Sequence, residues 1–154
     1  DGKSTHLAND LPLRGEAFWP VNRSRNGEWK SNMDEIWEEM YQAAKMVQHD
    51  RSISKYVEAG GVAAAVRARS GTIYTGVCID TCSTLGICAE RNAIFHMITS
   101  GEHEIEQVLA IMPDGKTGAP CGACRELMVQ LMPDDYRKIE IMLDYETRKT
   151  VTLW

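Results

Sequence analysis

Three cysteines and one glutamate have the types and the spacing to do chemistry: Cys88-Ala89-Glu90, and 33 residues beyond Cys88 the run Pro120-Cys121-Gly122-Ala123-Cys124. Cys121 and Cys124 stand at the separation common to two ligands of one metal. A structural zinc site is normally closed by four protein ligands, whereas a catalytic one leaves the fourth position to water. Three sulfurs and one acid therefore describe an open, hydrolytic zinc centre. Glu90, two residues from a ligand, is placed to reach the bound water and shuttle its protons. Its other reading is a helix-start acid stabilised by the dipole, a role that needs no neighbouring cysteine.

Both halves of the pattern fall at expected helix starts, where unpaired backbone N–H groups and the helix dipole favour thiolate over thiol. Zn²⁺ with three thiolates keeps a net negative charge, which weakens its ability to acidify water. Arg91 and Arg125 each directly follow one half of the motif, and their guanidinium groups can donate to the sulfurs; otherwise they are surface arginines. Cys78 and Cys82 lie outside the motif on the preceding strand and loop, and Cys82 is expected to be a small buried apolar residue. His6, His96 and His103 lack companions at ligand spacing, and His49 reads as a helix-end charge.

The elements that must position these residues are legible from periodicity. A helix is expected from Asn32, with Asn32 and Glu35 as a capping pair and Ile36, Trp37, Met40, Tyr41, Ala44 and Val47 as one apolar stripe. Gly61 to Arg69 and Thr72 to Ile79 read as two strands joined at Ser70-Gly71 in an antiparallel hairpin. Cys88 to Thr99 is expected to be helical with Ala93, Ile94, Met97 and Ile98 inward, and Cys121 to Met132 with Leu127, Met128 and Leu131 inward. Val108 to Met112, Ile139 to Leu143 and Thr150 to Leu153 are the remaining strands. The sum is an α/β domain, one mixed five-stranded sheet between helices. Residues 1–30, with Pro12, Pro20 and three glycines, read as an irregular N-terminal arm ahead of a domain over 31–154. Phe18 and Trp19 could pin that arm onto the domain or a neighbouring subunit.

A chain of 154 residues with 44% apolar and 25% charged residues is ordinary for one globular domain. No apolar run approaches a membrane span. A net charge of −5 argues against a large phosphate-binding surface, and no basic-aromatic stretch stands ready to track a nucleic-acid backbone. An odd count of five cysteines suits a reducing cytoplasm, with three ligands and two free thiols; a secreted domain is the alternative. No secretory signal pattern is legible.

From about Val62 to Leu153 the chain resembles the cytidine deaminase superfamily, in its small all-cysteine branch of cytidine and blasticidin S deaminases. Tyr74-Thr75-Gly76, Cys88-Ala89-Glu90-Arg91 and Pro120-Cys121-Gly122-Ala123-Cys124-Arg125 carry the likeness. The resemblance implies a three-layer α/β/α fold with one Zn²⁺ per subunit on Cys88, Cys121 and Cys124. It also implies hydrolytic deamination, in which zinc-bound hydroxide attacks the amino-bearing ring carbon and Glu90 relays protons before ammonia leaves. Backbone at Ala89 and Ala119 would hold the ring and the leaving ammonia, and a homotetramer with sites completed across subunits is implied. Cytidine deaminases usually carry Asn-x-Glu shortly after the aromatic-Thr-Gly element to hold ribose; here Cys78-Ile79-Asp80 occupies that place. The base-stacking aromatic aligns near Gly60. Cysteine lacks an amide's donor and acceptor, and aspartate is one methylene shorter than glutamate.

The expected function is thus zinc-dependent deamination of a cytidine-like aminopyrimidine nucleoside, a small-molecule substrate. Blasticidin S or another aminated heterocycle is the alternative substrate. Nucleic-acid editing and a non-catalytic zinc module rank behind.

Overall fold

The computed structural model describes residues 32–153. The arm expected over residues 1–30 lies outside them. The first helix is present as α1 (Asn32–Val47), with Trp37, Met40 and Ala44 as its buried stripe. Asp34 and Glu35 in its first turn and Lys45 in its last complement the dipole. It ends before His49, which is exposed beyond it.

The chain continues as β1 (Arg51–Ser54), β2 (Val57–Ala68), β3 (Ile73–Thr81), α2 (Ala89–Thr99), β4 (Ile105–Ile111) and α3 (Gly122–Leu131). A short 3-10 turn (Tyr136–Lys138) precedes β5 (Glu140–Asp144) and β6 (Lys149–Thr152). The sheet is mixed: β2 pairs antiparallel with β3 and β4, β4 runs parallel to β5, and β6 returns antiparallel. It has six strands, where the sequence predicts five. The additional strand, β1, pairs with the first residues of β2. All four of its residues are exposed, so it has no burial alternation for a sequence reading to detect.

Successive residues of β2 and β4 face opposite sides, as strand geometry requires. Ala63, Ala65, Leu109 and Ile111, with Met142, pack against α1. Val66, Ala68, Val108 and Ile141 pack with Ala93, Ile94 and Met97 of α2 and Met128 of α3. The three-layer arrangement follows from that split. Ile98, predicted inward, is 41% exposed. It stands one residue past Met97, about 100° around the helix, and so turns off the buried side.

Gly76 sets the distance between β3 and α2. A Cβ there would lie 2.3 Å from the Ala93 nitrogen and 2.8 Å from the Ala89 carbonyl oxygen. Only glycine permits this approach, and the Asn92 side-chain amide donates to the Val77 carbonyl at 3.0 Å to fasten the same turn.

Candidate metal centre and its cleft

Cys88 and Cys121 each occupy the residue immediately before a helix, in extended backbone conformation. Their carbonyls accept the first helical bonds, from the Asn92 and Arg125 N–H groups. Neither sulfur caps its helix, which leaves both for other partners. Cys124 is the third residue of α3. The cap and third positions are those whose side chains meet in a capping box, so two-residue spacing at a helix start brings two sulfurs together. Cys121 and Cys124 Sγ lie 3.5 Å apart, and Cys88 Sγ is 3.4 Å from that of Cys121.

All three sulfurs fall within 4.8 Å of one another. Tetrahedral zinc–thiolate bonds of about 2.3 Å place sulfurs about 3.8 Å apart, so the donor set fits a zinc ion. Among the described residues no fourth histidine, cysteine or acid joins this cluster.

Burial pushes the Cys124 thiol far above its ordinary value, and the Glu90 charge adds to the effect. Burial also raises Cys88, with a contribution from the Cys121 sulfur, while the Arg91 guanidinium opposes both. For Cys121 burial also works against the thiolate, but the field of the backbone N–H groups at the start of α3 and the neighbouring sulfurs outweigh it and bring the thiol down. A cation among three such sulfurs removes the mutual repulsion and favours the deprotonated forms.

Glu90, in the first turn of α2, is only 4% exposed. Desolvation holds its carboxyl above the ordinary carboxylate range, although its own backbone N–H and Arg91 pull the other way. Arg91 Nη2 donates to Cys88 Sγ at 3.8 Å, and its buried Nε has no partner among the described residues. Arg125 is exposed, and its side chain makes no hydrogen bond to a sulfur.

A cleft of about 410 Å³ opens beside Cys88, Glu90 and Cys121. On β3, Tyr74 and Gly76 lie under α2, while Cys78 and Asp80, two and four residues further on the same face, pass its N-terminus and line the cleft. Ala89 and Ala119 line it as well. The structure therefore brings Cys78, Asp80, Ala89 and Ala119 to one space with the cysteines and Glu90.

Gly60 does not line that space. Its φ of +91° turns the chain, and its α-carbon packs so closely on the His49 carbonyl that a Cβ would lie 1.9 Å from the oxygen. Val62 and Met112, with Ile79 and Ile87, are the larger apolar residues that line the cleft. Cys82, predicted buried, is exposed in the loop after β3. That loop also supplies Ser83, Thr84 and Gly86 to the cleft. Sequence reasoning passed over these residues, whose one signal was a run of small polar residues leading directly to a metal-type cysteine.

Residues 34–137 match the family model for the cytidine and deoxycytidylate deaminase zinc-binding region. The chain is 33% identical over 75 residues to a cytidine deaminase of Halalkalibacterium halodurans, which covers 48% of this chain and 57% of that protein. It is 29% identical over 89 residues to a blasticidin-S deaminase of Bacillus cereus, covering 52% of this chain and 64% of the relative. The matches therefore span less than two thirds of either relative. The crystal structure of cytidine deaminase from Mycobacterium leprae superposes with a TM-score of 0.61 at 23% identity, over 76% of this chain and 92% of that one, and shows the same fold. No helix among the described residues is long and apolar enough to cross a membrane. Because the family model spans both cysteine motifs and most of the described domain, this chain belongs to the cytidine and deoxycytidylate deaminase zinc-binding family.

Proposed function

We propose that the chain is a zinc-dependent hydrolase that removes the amino group of a small aminopyrimidine nucleoside or a related aminated heterocycle. One observation carries the reading: three sulfurs converge without a fourth protein ligand beside a cleft that also holds a buried carboxyl. Zinc on Cys88, Cys121 and Cys124 supplies the Lewis acidity that makes water nucleophilic near neutral pH.

Glu90 then serves as the proton carrier. Its carboxyl is buried beside the cysteines and lines the cleft, the placement a proton carrier needs. Arg91 donates to Cys88 and offsets the surplus negative charge of three thiolates. The Ala89 backbone steadies the ring, and the Ala119 carbonyl accepts from the departing ammonia. Asp80, exposed at the cleft, contacts the part of the substrate beyond the ring, and Cys78 lines the cleft beside it. A volume of about 410 Å³ suits a small molecule. Arg91 is the lone cation among the lining residues, which speaks against a nucleic-acid strand.

Blasticidin S is the second candidate substrate, favoured by the similarity to a blasticidin-S deaminase and by the exposed Asp80 carboxylate at the cleft. Five free thiols and the family resemblance support a cytoplasmic homotetramer.

The zinc-loaded chain is to be offered cytidine, deoxycytidine and blasticidin S, with ultraviolet change and ammonia release followed together. One zinc per chain and ammonia from at least one substrate are expected. Glu90→Gln should keep the metal and lower turnover by about 10²- to 10⁴-fold. Silence toward all three substrates, or a fully active Glu90→Gln protein, defeats the reading.

A further inference from the structure

Between Ala59 and Ala63, β2 leaves its pairing with β3. The register passes from Ala59↔Ile79 to Ala63↔Val77, so three residues of β2 stand opposite Cys78 alone. β1 pairs with β2 only as far as Ala59, and the pairing of β2 with β4 starts at Ala63. Residues 60–62 therefore lie outside the ladders on both edges, and their backbone groups need other partners.

Two side chains supply them. Cys78 Sγ accepts from the Val62 N–H at 3.2 Å. Gln48, just beyond α1, donates from Nε2 to the Gly61 carbonyl at 2.9 Å, to Met112 at 3.0 Å and to Ile111 at 3.3 Å. Its Oε1 accepts from Lys45 Nζ at 2.8 Å. Carbonyls on one side and an ammonium on the other fix which way the amide faces. One side chain thus ties the bulge of β2 to the end of β4, and the neighbouring Val62 and Met112 are among the apolar residues that line the cleft.

We propose that Gln48 and Cys78 are positioning residues for the substrate cleft, holding Val62 and Met112 at the spacing that admits the ring. The proposal rests on the deaminase reading for its substrate. Neither Val62 nor Met112 carries a reacting group, so displacing them weakens ground state and transition state alike. That loss raises KM and leaves kcat in place.

The test uses the zinc-loaded full chain and whichever of cytidine, deoxycytidine or blasticidin S it turns over. Gln48→Met keeps the length and apolar stem but removes the donors. It is expected to raise KM about five- to tenfold with kcat nearly unchanged and zinc at one per chain. Cys78→Ala should do the same, and Cys78→Ser, which retains an acceptor, should restore most of the loss. Hydrogen exchange at the Val62 amide should quicken about tenfold or more in Cys78→Ala, while the Ala65 amide stays protected.

An unchanged KM in both Gln48→Met and Cys78→Ala overturns the proposal, as does a parallel fall in kcat and zinc content. Should Gln48→Met fail to fold, the Cys78 pair decides by the same criteria. A wild-type chain that deaminates nothing defeats the deaminase reading instead. Exchange at Val62 then decides the positioning claim alone, with unaltered exchange in Cys78→Ala overturning it.

Discussion

A guanidinium beside a thiolate changes what that sulfur can do. Arg91 reaches Cys88 through Nη2, while its buried Nε stays unpartnered among the described residues. The arrangement sets a partly buried cation against a candidate metal ligand, as a donor set of three thiolates would require to offset its negative charge. Arg91→Gln is expected to cost about ten- to hundredfold in zinc affinity or activity, measured by competition with a chelator and by turnover. Arg91→Lys should recover little, because a shorter side chain ending in a compact ammonium does not reproduce the reach of Nη2 to Cys88. Arg125→Gln, at an exposed side chain free of sulfur contacts, should leave zinc affinity as it is. Equal losses at the two arginines would contradict the assignment.

At the scale of elements, the centre is a convergence of two helix starts against one sheet face. Cys88 is fixed only as well as α2 is fixed, and α2 is held against β3 at Gly76. Adding one carbon there meets backbone atoms 2.3 and 2.8 Å away, which cannot yield as a flexible side chain would. Gly76→Ala is therefore expected to lose about 1–3 kcal/mol of stability, as overpacking does, with weaker zinc retention because Cys88 moves with its helix. Gly122→Ala is the contrast. A Cβ at Gly122 meets nothing within 4 Å, although this glycine sits inside the second cysteine motif. Its stability should stay within about 0.5 kcal/mol of the parent. Urea unfolding of both proteins checks the pair, and equal effects would sink the argument.

For the whole molecule, the response to acid follows from a set of surface carboxylates. The Tyr145 hydroxyl, the Gln42 amide and Arg148 hold Glu38 below its ordinary 4.5. Hydroxyls of Ser70 and Tyr74 lower Glu102, and Lys138 and Thr147 lower Asp135 and Asp144 respectively from 3.8. Each group binds a proton less readily folded than unfolded. Their stabilisation is thus fully present above the unfolded values and is lost as pH falls through the lower, folded ones. Zinc-free protein should show a urea midpoint that declines below about pH 4.5 as these carboxylates protonate, with the raised Glu90 carboxyl acting in the opposite sense. Glu38→Gln should make that decline shallower, and added salt should blunt it at these exposed sites. A midpoint at pH 3.5 equal to that at neutrality would show that these contacts contribute nothing.

The sequence by itself located the cysteine cluster and most of the scaffold. Cys88, Glu90, Cys121 and Cys124 are local signals, because spacing at a helix start decides which side chains share an end. The apolar stripe of α1 and the short apolar runs of β2 and β4 are likewise short-range signals. Tertiary structure decided the rest. β1 has no buried side to announce it, and Cys82 is exposed because a loop, not a core, follows β3. Gly60, aligned with a ring-stacking position, turned out to be the pivot of a bulge, while Val62 and Met112 line the cleft. Which residues border a cleft depends on register slips and on contacts between distant segments, such as Gln48 with Gly61 and Met112. Those contacts join positions far apart in the chain, so no window of neighbouring residues contains them.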